Sequence, residues 1–183
     1  MIGQVVPVGG GEYRILRLLG KGKGGYSYLA QGPAGLAVVK QIHHEPCEYY
    51  QFGDKLAAEL NDYQRLRAVG IPVPELLAVD REAERLVKTY LPGPTVYELV
   101  LSDALPAWCR EQVEAMCVRL YAAGLNIDYF PTNFIPYDRI LWYVDYECNT
   151  YMEQWDFQHW GASYWAKTPE LLEYAEKHKK EDS

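Results

Sequence analysis

Apolar and polar positions alternate through most of the first forty residues. Residues 13–19 (YRILRLL), 26–31 (YSYLAQ) and 36–42 (LAVVKQI) are rich in branched and aromatic side chains, and they are separated by Gly20 to Gly25 and by Gly32-Pro33-Ala34-Gly35. Strands joined by glycine-rich turns predict a three-stranded antiparallel meander. From about Glu48 to Val69 the period lengthens: Leu56, Leu60, Tyr63 and Leu66 follow one another at spacings of four, three and three, which is one face of a helix. Gly70 supplies a stop, and Pro72 and Pro74 forbid continuation. Residues 75–79 (ELLAV) and 85–91 (RLVKTYL) predict two more strands around the polar turn Asp80 to Glu84, making five strands and one helix. At Leu91-Pro92-Gly93-Pro94 consecutive turn formers break both periods and mark a linker.

Beyond the linker the pattern becomes helical. Val113, Met116, Cys117, Leu120 and Tyr121 lie at i, i+3, i+4, i+7 and i+8 of a helix over 106–123 that ends near Gly124. Two short strands follow, at 134–136 and 140–144, and then a Trp-rich helical tail. Its aromatic stretch, Tyr151 to Gly161, either closes the core or forms a docking surface for a partner. Asp156, within it, either caps or anchors the loop at 126–133 or is a solvated helix residue. The mixed-charge run Glu176 to Asp182 reads as a solvated helix end. The pattern as a whole is α+β.

Composition narrows the function classes. With 183 residues the chain has room for one domain or two small lobes, and 49% hydrophobic against 23% charged residues is an ordinary globular balance. The formal net charge of -7 argues against nucleic acid as a partner, because phosphate-backbone affinity needs clustered Lys and Arg. No apolar run approaches the roughly 20 residues of a membrane span, and Met-Ile-Gly-Gln-Val-Val-Pro does not open like a signal peptide, so a cytoplasmic protein without a membrane span is expected. Cys47, Cys109, Cys117 and Cys148 show neither zinc spacing nor a disulfide framework and read as reduced packing residues.

Three stretches carry candidate chemistry. Gly20-Lys21-Gly22-Lys23-Gly24-Gly25 fits G-x-G-x-x-G between two strands, and such glycines let backbone N–H groups approach phosphate oxygens. The strand that resumes at Tyr26 argues against a dinucleotide-binding βαβ unit, leaving a flap over phosphates or a plain hairpin tip. Lys40, after Ala37-Val38-Val39, either pairs with a carboxylate, for which Glu59 on the following helix is the candidate, or snorkels to water. Asn126-Ile127-Asp128-Tyr129-Phe130-Pro131-Thr132-Asn133 and Tyr143-Val144-Asp145-Tyr146-Glu147 offer a carboxylate for an acceptor hydroxyl in Asp128 and oxygen ligands for Mg²⁺ in Asn133 and Asp145. Singly, these Asp and Asn residues read equally well as turn formers. His43-His44 points to opposite faces of a strand and reads as surface histidines.

Taken in order, these residues resemble the protein kinase-like superfamily, most closely its compact atypical Ser/Thr group that includes the KEOPS-complex kinase and the RIO-type kinases. The resemblance covers roughly residues 12–150. It implies one kinase-like domain over 1–183 with a two-lobed fold: a five-stranded antiparallel N-lobe over about 1–91 and a reduced, mostly helical C-lobe over 92–183. It implies ATP and Mg²⁺ as ligands, with Gly20, Lys21, Gly22, Gly25, Lys40, Thr89 and Leu91 on the nucleotide, the last two in a hinge at Thr89-Tyr90-Leu91-Pro92-Gly93. Glu59 would orient Lys40, Asp128 would serve the acceptor hydroxyl, and Asn133 and Asp145 would hold the metal.

The chain also departs from that pattern. Asn126 stands where the loop commonly begins with His, Phe130 where many Ser/Thr kinases carry Lys, and Lys88 at the gatekeeper position. Asp145-Tyr146-Glu147 is closer to the Asp-x-Glu of small-molecule phosphotransferases, so a sugar, lipopolysaccharide or aminoglycoside-like hydroxyl stands beside a Ser/Thr protein as acceptor. A nucleotide-binding module with little transfer activity is the reading from another class. The short remainder after Glu147 leaves no room for a long activation segment.

Overall fold

The computed structural model of the chain describes residues 1–46 and 54–179. Its secondary structure is α+β, with an antiparallel six-stranded sheet in the order β1-β2-β3-β4-β6-β5. The strands are β1 Val5–Val8, β2 Gly11–Lys21, β3 Gly25–Gly32, β4 Gly35–Ile42, β5 Leu76–Asp80 and β6 Arg85–Thr89. The five expected strands are all present, and β1 is a sixth. It pairs with β2 through a turn at Gly9 and Gly10, both at positive φ, and Pro7 is tolerated because β1 is an edge strand. The first described helix, α1, spans Lys55–Ala68, and the Asp54 carboxylate caps it by accepting from the Ala57 N–H at 2.8 Å. The part of the expected helix from Glu48 to Gly53 lies outside the described residues, as does Cys47.

The chain divides into two compact units, Met1–Asn61 with Pro74–Leu91 and Asp62–Val73 with Pro92–Ser183. In the first, alternation along the strands gives the sheet two different faces. Val6, Val8, Tyr13, Ile15, Ala30, Ala37, Val39 and Val87 form one apolar cluster. Gly9, in the β1–β2 turn, lies so close to β5 that a Cβ there would sit 2.9 Å from the Ala78 Cβ, so the sheet's two edges curl toward each other around this cluster. The other face carries Leu29, Val38, Lys40, Leu86 and Lys88, all buried, as the register Leu29↔Val38↔Lys88 and Ser27↔Lys40↔Leu86 requires. Two lysines on a buried sheet face have no packing rationale of their own.

The second unit is organised by α3, Ala107–Ala122, which buries Cys109, Val113, Met116, Cys117 and Leu120. Before it lies a short helix that the periodicity did not indicate, α2, Val96–Leu101. Its reciprocal cap between Thr95 and Glu98 is a legible sequence signature all the same. The hairpin of β8, Phe134–Tyr137, and β9, Ile140–Tyr143, turns at Asp138 and Arg139, both at positive φ as a two-residue hairpin turn demands. Gln112 of α3 locks that hairpin: its Nε2 donates to the Arg139 carbonyl at 2.9 Å and its Oε1 accepts from the Leu141 N–H at 2.7 Å. A two-residue pair, β7 Leu125–Asn126 with β10 Asn149–Thr150, brackets the hairpin. Among the described residues no helix is long and apolar enough to cross a membrane. Cys109, Cys117 and Cys148 are free and buried, and burial pushes the Cys148 thiol up to about 12.

The aromatic tail differs from the expected helix. Between Tyr151 and Gly161 the backbone makes only a 3-10 turn, Glu153–Trp155; a second, Gly161–Tyr164, follows, and a true helix, α4, forms at Pro169–Lys179. The reason is Asp156, which is not a solvated helix residue and whose carboxylate bonds within its own segment, to Tyr151 and His159. Buried to 2% exposure, it accepts from the His159 N–H and ring at 2.8 Å and from the Tyr151 hydroxyl at 2.9 Å, an arrangement that competes with helical bonding. Phe157 and Trp165 then close the core, with the Trp165 indole donating to the Tyr129 carbonyl at 2.8 Å.

The Asp156 pair has a pH consequence. Burial opposes its charge, but the His159 amide and ring and the Tyr151 hydroxyl hold the Asp156 carboxyl below its ordinary value. The hydrogen bond to Asp156 in turn raises His159 above 6.5. A group raised on folding stabilises below its unfolded value and loses that contribution as pH climbs through the folded one. The melting temperatures of the wild type and His159→Gln should therefore differ most near about pH 5.5 and converge as pH rises past the His159 value. Asp156 contributes constantly over that window, since its depressed value lies below it.

Candidate functional site

The residues singled out from the sequence fall into two sets, one in each unit. In the first unit Lys40, placed by β4 on the lysine-bearing face, forms an ion pair with Glu59 of α1, the side chains being 10% and 11% exposed. An ammonium held this far from water is stable only with such a partner. Nearby, Lys55 donates to the His43 carbonyl at 2.7 Å, fixing the start of α1 to the end of β4.

The glycine-rich stretch is a tight β-hairpin between β2 and β3. Gly20 pairs with Ser27 and Lys21 with Tyr26, and the Gly22 N–H donates to the Gly25 carbonyl at 2.9 Å. The His43 N–H holds the Gly24 carbonyl at 3.1 Å, and the His43 ring lies 3.0 Å from the Gly22 carbonyl. None of these glycines has positive φ, so close approach is what they provide. A Cβ on Gly25 would collide with the Gln41 carbonyl oxygen, and one on Gly24 would sit 3.2 Å from Glu59 Oε1 and 4.0 Å from Lys40 Nζ. Gly24, which the spacing motif does not single out, is therefore the residue that lies against the ion pair. Gly20 has open space around it.

Lys21 turns elsewhere: its ammonium meets Glu45 at 2.5 Å, and Tyr26 bonds the same carboxylate. The hydrogen bond to Glu45 raises Lys21, and Lys21 in turn lowers Glu45. Thr89 ends β6 with its N–H donating to the Glu75 carbonyl at 3.0 Å, and Leu91 is buried at 7% exposure. Lys88 is buried at 6%, one strand across from Val38.

In the second unit the loop after β7 holds Asp128. Its Oδ1 accepts from the Phe130 N–H at 3.1 Å, and its carbonyl accepts from Asn133 Nδ2 at 3.3 Å, so Asp128 and Asn133 are one hydrogen-bonded loop. A 3-10 turn at Pro131–Asn133 delivers Asn133 to the start of β8, where its carbonyl accepts from the Val144 N–H at 2.9 Å. That bond sets Asp145, next along, beside the loop. Asp145 Oδ1 accepts from the Tyr146 N–H at 2.8 Å, and Asp62 Oδ2 holds the Cys148 N–H at 3.2 Å. Tyr143, which opens the Tyr143-to-Glu147 stretch but was given no role from the sequence, is fully buried among these groups. Burial, then the charges of Asp145, Glu147 and Asp128, raise its phenol far above the ordinary value.

Asn126 is buried, with its Nδ2 on the Met152 carbonyl at 2.9 Å and its Oδ1 without a hydrogen-bond partner among the described residues. Phe130 packs on Tyr174 and Tyr164, at 4.6 and 5.2 Å between ring centres.

Among the described residues no group of three or more His, Cys, Asp or Glu side chains is placed to hold a metal. That does not exclude magnesium from the Asn133–Asp145 pair. Mg²⁺ keeps several waters and takes one or two carboxylates plus phosphate oxygens, so one carboxylate and one amide oxygen suit it where they would not suit zinc. With Asn133 Nδ2 turned to the Asp128 carbonyl, Oδ1 is the atom through which Asn133 would hold a metal.

No model of a known protein family matches the chain, and no curated protein matches it in sequence.

The buried pair and the exposed pair respond differently to loss of charge. Glu59→Gln should cost about 1.5–3 kcal/mol, as expected for a charge-assisted hydrogen bond out of water, and shift the urea midpoint accordingly. Glu45→Gln should leave that midpoint almost unmoved, because the Lys21–Glu45 pair is solvated.

Proposed function

We propose that the chain is an ATP- and Mg²⁺-dependent phosphotransferase that moves the γ-phosphate to a hydroxyl, with an atypical Ser/Thr protein kinase as the first acceptor class. The observation that carries this reading is the buried Lys40–Glu59 pair with Gly24 against it. A sheet face that buries a cation, orients it with a carboxylate and brings the Gly24 backbone close to the pair is suited to phosphate oxygens. Asp128, Asn133 and Asp145 supply the remaining roles. In the transfer step the acceptor oxygen forms a bond to the γ-phosphorus, the bond to the ADP oxygen breaks, and Asp128 takes the hydroxyl proton. Lys40 holds the phosphates, and Glu59 orients Lys40. Asn133 Oδ1 and the Asp145 carboxylate are the groups that would hold Mg²⁺, which when bound neutralises charge on the phosphates.

A small-molecule hydroxyl is the second acceptor reading, and Phe130 favours it. The residue two places after Asp128 is packed among Tyr97, Tyr164 and Tyr174, so this loop offers an aromatic surface where a cation would suit a conventional protein kinase. Tyr97 and Phe130 are both only half-buried.

Transfer from γ-labelled ATP, measured for the wild type, Asp128→Asn and Asp145→Ala, tests the proposal. Asp128→Asn should lower turnover by roughly 10²-fold or more, the usual worth of a positioned base, and Asp145→Ala should abolish Mg²⁺-dependent transfer. Undiminished transfer in both variants contradicts it. Thermal stabilisation by ATP with no phosphate moved to protein, sugar or water assigns the chain to the nucleotide-binding modules instead.

A further inference from the structure

A hydroxyl at the end of β9 joins the two segments to which transfer chemistry is assigned. Tyr143 is fully buried, its ring 5.4 Å from Phe134 and its N–H on the Pro72 carbonyl at 2.9 Å. Its hydroxyl donates to the Glu147 carbonyl at 2.8 Å and accepts from the Asp128 N–H at 3.4 Å. A phenol has one proton and spare lone pairs, so it can serve both segments at once only in this sense. Asn126, which opens the Asp128 loop, is turned to Met152 and gives no support in this direction.

We propose that the Tyr143 hydroxyl is a positioning group that holds the Asp128 loop and the Asp145–Glu147 segment in one fixed arrangement. The inference rests on the phosphotransferase reading for its kinetic consequence, but the tie itself does not. The ring is fixed before the hydroxyl acts, because β9 is locked to α3 by Gln112 and Tyr143 packs against Phe134. A rigid strand end thus sets the spacing between a proton acceptor and a metal ligand that sit on different loops.

Tyr143→Phe removes the hydroxyl and keeps the ring. In hydrogen exchange, the variant should speed the amides of residues 127–129 and 145–148 by about 5-fold or more, the worth of a lost hydrogen bond, while the β2–β4 amides stay unchanged. With ATP as substrate, kcat should fall roughly 10-fold or more, from misplacement of the reacting groups, with the KM for ATP within about twofold of wild type. In the wild type, nuclear magnetic resonance should show a slowly exchanging Tyr143 hydroxyl proton with a through-space contact to the Asp128 amide. That arm does not depend on the variant's folding, and its absence overturns the tie. Exchange unchanged in either segment, or raised equally throughout the sheet, also overturns it, as does an unaltered kcat in a protein that transfers phosphate. If the wild type transfers none, the phosphotransferase reading fails by itself, and the exchange pattern still decides the role of Tyr143.

Discussion

The first unit depends on how one ammonium is kept out of water. Lys40 lies in the middle of β4, between Ser27 and Leu86, on a face that also buries Leu29, Val38 and Lys88. Alternation leaves no choice: with Ala37 and Val39 committed to the apolar cluster, Val38 and Lys40 must point the other way. Desolvating that charge is costly unless a carboxylate meets it, so Glu59 and the register of α1 are fixed together. The hairpin over the pair follows from the same constraint. A side chain on Gly24 would crowd Glu59, and one on Gly25 would strike the Gln41 carbonyl. A structure selected for stability alone would do as well with apolar residues at 40 and 59, which is why the proposed ligand is placed at this pair.

The second unit solves a different problem, holding several polar groups in fixed relation on loops. Asp128, Asn133 and Asp145 each sit outside regular strands, yet each is hydrogen-bonded to backbone: the Phe130 N–H on Asp128, Asn133 Nδ2 on the Asp128 carbonyl, the Tyr146 N–H on Asp145. The scaffold beneath them is aromatic. Phe134, Tyr143, Phe157 and Trp165 are fully buried or nearly so, and Tyr129 and Trp165 are joined by a hydrogen bond. Such rings bring large contact area at low entropic cost, and in a small unit they stand in for a larger helical core.

Residues with strong periodicity were legible from the sequence, and residues governed by local capping or by tertiary contact were not. Strands β2 to β6, α3 and the β8–β9 hairpin follow from branched-residue runs and a 3.6-residue period, because burial alone decides them. β1 escapes because four residues containing Pro7 carry little strand signal until β2 is there to pair with. α2 has six residues, too few for a period, although Thr95-x-x-Glu98 announces its start. The tail misleads because its aromatic spacing is helical while Asp156 captures the His159 amide that a helix would need. At the candidate sites, the Lys40–Glu59 pair was foreseeable from charge and strand position. The roles of Gly24 and Tyr143 were not, since one depends on what lies across the hairpin and the other on a hydroxyl reaching two loops.

The phosphate-holding role proposed for Lys40 carries the functional account, and calorimetric titration of Mg²⁺·ATP into the wild type and Lys40→Met tests it most directly. The wild type should bind, and Lys40→Met, folded by circular dichroism, should bind at least about tenfold more weakly, since it loses a charge-assisted contact to phosphate. Equal affinity in the two proteins, or no binding by the wild type, would contradict the account.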